Sequence, residues 1–296
     1  MSRTQKPLNE KIIETLLAGS AGVTILTTAG IVYILISQAF SFFSEVSFWE
    51  FITGTEWTPL FADKKFGILP LLSGTFLTTI IALIVALPIG LITAVYLDTY
   101  AKKNFRRVVK PSLEFLAAVP TVVYGFFALE VVTPFLQTFI HNLSGFNALS
   151  AGIVMGVMII PMISSLCEDA LSAVPKSLKE ASYGMGATKF QTALRVSIPA
   201  AISGIMVASL LALSRAVGET MIVAVAAGQE PRFTANPLVP IETITTYIVQ
   251  VSLGDVPHDS IEFKTIYAAG ITLFVFTFIL NNIGNWVTRR YQQKYD

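Results

Sequence analysis

Arg215 and Glu219 are the residues whose type and spacing point most directly to chemistry, because both lie in an apolar run that covers residues 196–227. Their spacing predicts one shared helix face. An ionised side chain inside a membrane helix costs at least ~2.5 kcal/mol, so it should face a partner or a water-filled cavity. The planar guanidinium donates two parallel hydrogen bonds to an oxyanion. We predict that Arg215 binds an anion transiently and that Glu219 orients it; a self-contained ion pair is the alternative.

The sequence patterns of common enzymes and metal sites are missing. No glycine is followed by lysine, so the P-loop pattern GxxxxGK[ST] is absent, as are GxSxG and HExxH. His141 and His258 lie in predicted external loops and belong to no catalytic or metal-binding sequence pattern, and the lone Cys167 cannot form an intrachain disulfide. We therefore predict that the chain is not an enzyme and has no catalytic residue, no metal site and no bound cofactor.

The composition indicates a membrane protein. Of 296 residues, 53% are hydrophobic and only 13% are Asp, Glu, Lys or Arg, which is about half the charged share of a soluble domain. The 20 basic and 19 acidic residues nearly cancel, whereas a domain that binds nucleic acid is clearly basic. These numbers exclude a typical soluble fold and argue against a nucleic-acid partner.

Six apolar stretches reach the roughly 20 residues that a helix needs to cross a bilayer. They cover residues 16–40, 71–97, 115–139, 149–166, 196–227 and 263–287. We therefore predict an all-α, polytopic membrane protein with six transmembrane helices. Four of the spans contain or adjoin a proline, which is typical of helices broken around a pathway, although proline is also common in membrane helices generally. Gly152 and Gly156 form a GxxxG pattern, which permits close helix contact.

The distribution of Lys and Arg predicts the orientation, because positively charged loops stay cytoplasmic. Fifteen of these residues fall in the two tails and in the second and fourth loops, against four in the other loops. Both termini are therefore predicted to be cytoplasmic, in a cell membrane. Glu114 and Glu168 are predicted to lie at cytoplasmic span ends, where water solvates them, and Glu130 near the outer end of the third span; all three are predicted to be structural. Glu242 is counted among nine acidic residues of the external loops.

The fourth loop carries the most specific motif. Pro175 is at an acceptable position for a helix start, and Gly184 and Gly186 interrupt the stretch that follows, so we predict two short amphipathic helices hinged at glycine. The segment resembles the EAA loop of ABC importer permeases, whose pattern is EAA, three residues, glycine, nine residues and I-x-L-P. The matching positions are Glu180, Ala181, Ser182 and Gly186, followed by Val196 to Pro199.

Three further stretches, EWTPLF, VPTVVYGFFAL and LSRAVGETMIVAVAAG, resemble the phosphate permeases of the PstC type; the resemblance covers about residues 56–228. It implies a type I (MetI-like) permease fold and one subunit of an ATP-driven phosphate importer in a bacterial plasma membrane. The implied partners are a PstA-like sister permease, two PstB-like ATPases and an extracytoplasmic PstS-like phosphate-binding protein. ATP and Mg would be used by the partner ATPase, which would dock on the EAA positions, and Arg215 and Glu219 would serve transport.

The expected domain organisation follows from the spans. Residues 1–15 form a cytoplasmic tail, 16–70 the first transmembrane helix and an external loop, 71–287 the permease domain with five transmembrane helices and a coupling loop at about 169–195, and 288–296 a cytoplasmic tail. Two other functions are compatible with the sequence. One is a permease of the same architecture for another oxyanion, such as sulfate or molybdate, and the other is an ion-coupled secondary transporter or channel.

Overall fold

The computed structural model describes residues 8–291, without the side chains of Leu8, Asn9, Lys11, Lys103, Glu114 and Tyr291. The described residues form helices and no β-strand beyond isolated bridges. The helices are α1 (Leu8–Phe43), α2 (Phe48–Thr53), α3 (Leu69–Thr99), α4 (Lys103–Ala117), α5 (Thr121–Phe127), α6 (Thr133–Gln137), α7 (Ala148–Ser172), α8 (Lys176–Gly184), α9 (Lys189–Thr192), α10 (Ile198–Ala200), α11 (Ile202–Val217), α12 (Met221–Ala226), α13 (Ile244–Leu253) and α14 (Ile261–Tyr291). Two π-helical turns, Ala128–Val132 and Ala193–Ser197, join α5 to α6 and α9 to α10.

Among the described residues, four helices are long and apolar enough to cross a membrane. These segments are Ile12–Phe43, Leu69–Thr99, Ala148–Ser172 and Ile261–Arg290. Two further segments are bent pairs, Asn104–Ala117 with Thr121–Gln137 at 85° and Lys189–Ala200 with Ile202–Val217 at 72°. The described residues therefore hold six spans when each bent pair counts as one, in agreement with the predicted number. The predicted tails at 1–15 and 288–296 lie partly outside the described residues.

The predicted start of the third span is wrong. Residues 115–117 belong to α4, which also includes the basic stretch that was predicted to be a loop, and the chain bends sharply before α5. The bend lies at Pro120, which cannot donate a backbone hydrogen bond and restricts the residue before it. Pro199 lies next to the other bend, whereas Pro88 and Pro161 lie inside continuous helices. Two of the four predicted proline breaks are therefore bends.

The core of the bundle is the pair α3 and α7, the most extensive helix contact among the described residues. The GxxxG pattern faces α3: an added Cβ would lie 2.7 Å from the Ile81 side chain at Gly152 and 2.8 Å from the Ala82 carbonyl oxygen at Gly156. From the other side, a Cβ at Gly90 would lie 2.6 Å from Ile163. Small residues thus bring the two backbones together, and α3 and α7 behave as one packed unit.

A second, aromatic cluster closes one end of the bundle, where α1 ends and α3 and α14 begin. Phe42, Phe51, Trp57 and Tyr247 are buried there. Their rings meet edge to face, with 5.0 Å between the ring centroids of Trp57 and Tyr247, a favoured geometry for aromatic pairs. We call this end the α2 end and the opposite end, where α8 lies, the α8 end.

Candidate functional site

The predicted coupling segment forms two short helices joined by a glycine turn, as expected. The first, α8, ends at Gly184, and the second, α9, starts at Lys189. Gly186 has a φ of 83°, a left-handed conformation that glycine adopts without steric cost. Thr188 and Gln191 then form a capping box, in which each side chain bonds the backbone N–H of the other residue. The turn and the cap together set the angle between α8 and α9.

The side chains of this segment are sorted into an outer and an inner face. Glu180 and Ala181 are exposed, and Met185, in the turn, is 89% exposed. Ser182 faces inward and shares a hydrogen bond of 2.9 Å with the hydroxyl of Thr192. Of the predicted coupling residues, therefore, two are available to a partner, while Ser182 and Gly186 maintain the shape of the segment.

Arg215 and Glu219 do not share a helix face, so this prediction is wrong. Helix α11 ends at Val217, and Gly218 separates it from the short helix α12. The carboxylate of Glu219 accepts the backbone N–H groups of Met221 at 3.1 Å and Ile222 at 3.3 Å. It thereby satisfies donors that a helix start leaves without partners, and this local capping stops the continuous helix that the apolar pattern predicts.

Glu219 is also held by its backbone. Its carbonyl oxygen accepts a hydrogen bond of 2.8 Å from the hydroxyl of Thr245 in α13, and the residue is only 9% exposed. The side chain and the main chain of one residue thus connect the end of α11, the start of α12 and α13.

Arg215 lies in the last turn of α11 and is exposed. Within the part of the chain that the structure describes, its guanidinium has no hydrogen bond and no ion pair. The bend before Ile202 shortens the straight helix that precedes Arg215. From Ile202 this helix is about 20 Å long, whereas a straight helix from Pro199 would be roughly 24 Å long. Its neighbour Ser214 bonds Asn281 of α14 at 3.0 Å, so the helix that carries Arg215 is fixed against α14.

Glu168 is buried, contrary to the prediction that it is solvated at a span end. It is fully inaccessible and forms ion pairs with Arg106 and with Lys110, the latter at 2.7 Å. Its two cationic partners belong to α4, whose helical structure was not predicted, so the sequence held no signal that would bring them together. Glu130 is exposed in a π-helical turn, and the side chain of Glu114 lies outside the described residues.

Glu242 is also buried, although it was counted with the acids of the external loops. The residue is 1% exposed, and its Oε1 atom has no hydrogen-bond partner among the described residues. It lines a cavity of about 120 Å³ at the α2 end, together with Trp57 and Tyr247. Burial raises the pKa of Glu242 to about 8, because desolvation disfavours the ionised carboxylate.

Comparison with known proteins identifies related transport proteins. Residues 86–293 match the family of binding-protein-dependent transport system inner membrane components. The probable ABC transporter permease YqgH of Bacillus subtilis is 36% identical over 230 residues, which are 78% of this chain and 74% of that protein. The phosphate transport system permease PstC of Mesorhizobium japonicum is 32% identical over 305 residues, covering 96% and 91% of the two chains. The predicted resemblance is confirmed.

Solved structures show the same fold. A bacterial ABC transporter that imports alginate superposes with a TM-score of 0.68 at 16% identity, over 98% of this chain and 100% of that chain. The methionine transporter MetNI gives a TM-score of 0.55 at 20% identity, over 77% and 95% of the two chains. The prediction of an all-α ABC importer permease fold is confirmed by these neighbours.

Proposed function

The chain belongs to the family of binding-protein-dependent transport system inner membrane components, and on that premise we propose that it forms half of the translocation pathway of an ATP-driven phosphate importer. The choice of phosphate is supported by relatives named as phosphate permeases that align with nearly the whole chain. The permease module is assigned to residues 71–287. Sulfate and molybdate are the competing oxyanions.

One observation carries the proposal: Arg215 is an exposed cation in a membrane-spanning segment, without a counter-ion among the described residues. A permanently charged guanidinium is costly in lipid and should face protein or water. Its N–H donors remain available for the oxygens of a tetrahedral anion. We infer that Arg215 faces a pathway shared with the second permease subunit and binds phosphate weakly enough to release it.

Glu219 serves the same site indirectly in this proposal. It caps α12 and bonds α13 through Thr245, so it stabilises the break that follows Arg215. Its contribution is to shape the wall of the pathway, while the anion contact belongs to Arg215.

Coupling to ATP hydrolysis is assigned to α8 and the turn after it. Glu180, Ala181 and Met185 present an exposed face that suits insertion into a groove of another protein. The proposed partners are a PstA-like permease, two PstB-like ATPases that use ATP and Mg, and a PstS-like binding protein on the outer side. In this arrangement α8 and both termini are cytoplasmic.

The test is ATP-driven uptake of labelled phosphate by proteoliposomes that contain the whole complex. Replacing Arg215 by Gln should lower uptake roughly tenfold, because the loss of one hydrogen bond between charged groups weakens the contact with the anion by about this factor. Arg289→Gln, which removes an exposed arginine near the end of α14, is the matched control and should leave uptake unchanged. Parental uptake by R215Q contradicts the assignment of Arg215. Uptake of sulfate or molybdate instead of phosphate, or uptake without ATP, contradicts the proposed function.

A further inference from the structure

We propose that Lys179 is a positioning residue that ties the coupling helix α8 to α3 and α7 at once, and that this tie transmits the movement of α8 to the membrane-spanning core. The inference rests on the proposed function, because it assigns a mechanical role within the same importer. It concerns a residue outside the EAA positions, on the inward side of α8.

The contacts of Lys179 join three helices. Its Nζ atom lies 2.8 Å from Oδ2 of Asp98, near the end of α3, and 3.2 Å from the backbone carbonyl oxygen of Leu171, near the end of α7. The Asp98 side chain is 7% exposed and that of Lys179 is 19% exposed. This ion pair is therefore largely shielded from water, unlike exposed surface pairs, which contribute little to stability.

Helix electrostatics favour a cation at this position. The C-terminal end of a helix carries partial negative charge, and a nearby ammonium is stabilising. Asp98 adds a full negative charge to the last turn of α3, where an anion is unfavourable. Lys179 compensates the Asp98 carboxylate and the α3 and α7 termini with one group, so its removal leaves Asp98 with no ion-pair partner among the described residues.

The tie reaches the closely packed pair of helices α3 and α7. Helices α3 and α7 are packed through Gly90, Gly152 and Gly156, so a displacement at their ends is carried along both helices. Within the described part of the chain, the two bonds of Lys179 are the side-chain polar contacts that join α8 to α3 and α7. The other such contact of α8, between Ser182 and Thr192, goes to α9 instead.

Lys179→Met tests the tie, because methionine keeps an unbranched apolar side chain and loses the ammonium. The assembled complex should still hydrolyse ATP, while phosphate imported per ATP hydrolysed should fall roughly fivefold, the lower range of typical coupling between sites. Asp98→Asn should lower the same ratio in the same direction. A purely structural role would reduce the amount of assembled complex and leave this ratio unchanged. Lys102→Met, which removes an exposed lysine at the N-terminus of α4, is the control and should keep the parental ratio.

Lys179→Arg, which keeps a cation able to donate to both Asp98 and the Leu171 carbonyl, decides the case in which K179M fails to assemble. Assembly and a parental ratio in K179R support the tie. A parental ratio in Lys179→Met, or a K179R no better than K179M, overturns it. A parental complex that hydrolyses ATP but imports no phosphate contradicts the proposed function instead. In that case, loss of the stimulation of ATP hydrolysis by the binding protein in K179M supports the tie, and stimulation at the parental level overturns it.

Discussion

Arg215 and Glu219 lie four residues apart in the chain but on opposite sides of a helix break, and Glu219 bonds the start of α12 instead of pairing with Arg215. The acid is buried and the base is exposed. In the proposed function their roles are therefore separable: Glu219 shapes the wall of the pathway, and Arg215, which has no hydrogen bond or ion pair among the described residues, binds the anion. This separation gives the first prediction.

Glu219→Gln should be tolerated, because the amide oxygen of glutamine still accepts the N–H groups of Met221 and Ile222. Glu219→Ala removes the cap and should lower stability by about 1 kcal/mol and reduce phosphate uptake. Thermal unfolding and uptake of the purified complex measure both effects. If Glu219→Gln reduced stability and uptake as much as Glu219→Ala, the negative charge of Glu219 would be required, and capping of α12 would not explain its function.

Gly186→Val should uncouple transport, because a residue with a φ of 83° is unfavourable for any side chain and most of all for a β-branched one. We expect a cost of about 1–2 kcal/mol and loss of ATPase stimulation by the binding protein. Glu180→Lys should cause the same functional loss without the structural cost. Gly184→Ala is the control, since a Cβ there meets no atom within 4 Å; stimulated hydrolysis retained in both test variants would refute the coupling role.

Glu168→Gln should destabilise the contact between α4 and α7. The change leaves Arg106 and Lys110 facing a buried neutral amide, and breaking a buried ion pair typically costs about 3–5 kcal/mol. Because both cations are partly exposed and water screens them, we expect a smaller loss of about 1–3 kcal/mol. Asp169→Asn, which removes the neighbouring exposed acid, is the control. Equal unfolding temperatures for the two variants would contradict the prediction that the buried Glu168 ion pairs stabilise the protein more than the exposed Asp169 pair does.

The free energy of unfolding should fall as pH rises, because Glu242 titrates at a higher pH in the folded state than in the unfolded state. An unfolded glutamate has a pKa of about 4.3, and burial raises the pKa of folded Glu242 to about 8. Between these values the folded state binds more protons than the unfolded state, so the contribution of this residue to stability decreases with pH and levels off above about 8. Glu242→Gln should remove this dependence and raise the unfolding temperature above pH 8 by on the order of 5 °C.

The measurement is thermal unfolding at about pH 5 and about pH 9, where the protonation of Glu242 differs most. Glu230→Gln changes an exposed acid that lines the same cavity and should leave the slope unchanged. Parallel pH profiles for the parental protein and E242Q would show that Glu242 titrates near its ordinary value.

Local patterns were sufficient for several features of this protein. The number of membrane spans follows from apolar length when each bent pair counts as one, and the hinge in the coupling segment follows from Gly184 and Gly186. These predictions succeed because helix length and glycine conformation depend on residues close together in the chain.

Other features depended on residues far apart in the sequence. The burial of Glu168 and Glu242, the packing of Gly152 against α3 and the bond between Lys179 and Asp98 cannot be read from local hydropathy, because a charge is solvated or buried according to what packs over it. Apolar length and local motifs indicate a helical membrane protein, an arginine inside a span and a segment that resembles the EAA loop. The fold shows in addition that Lys179 pairs with Asp98 and that Arg215 has no hydrogen bond or ion pair among the described residues, since the free energy of a charge is set by the neighbours that replace water around it.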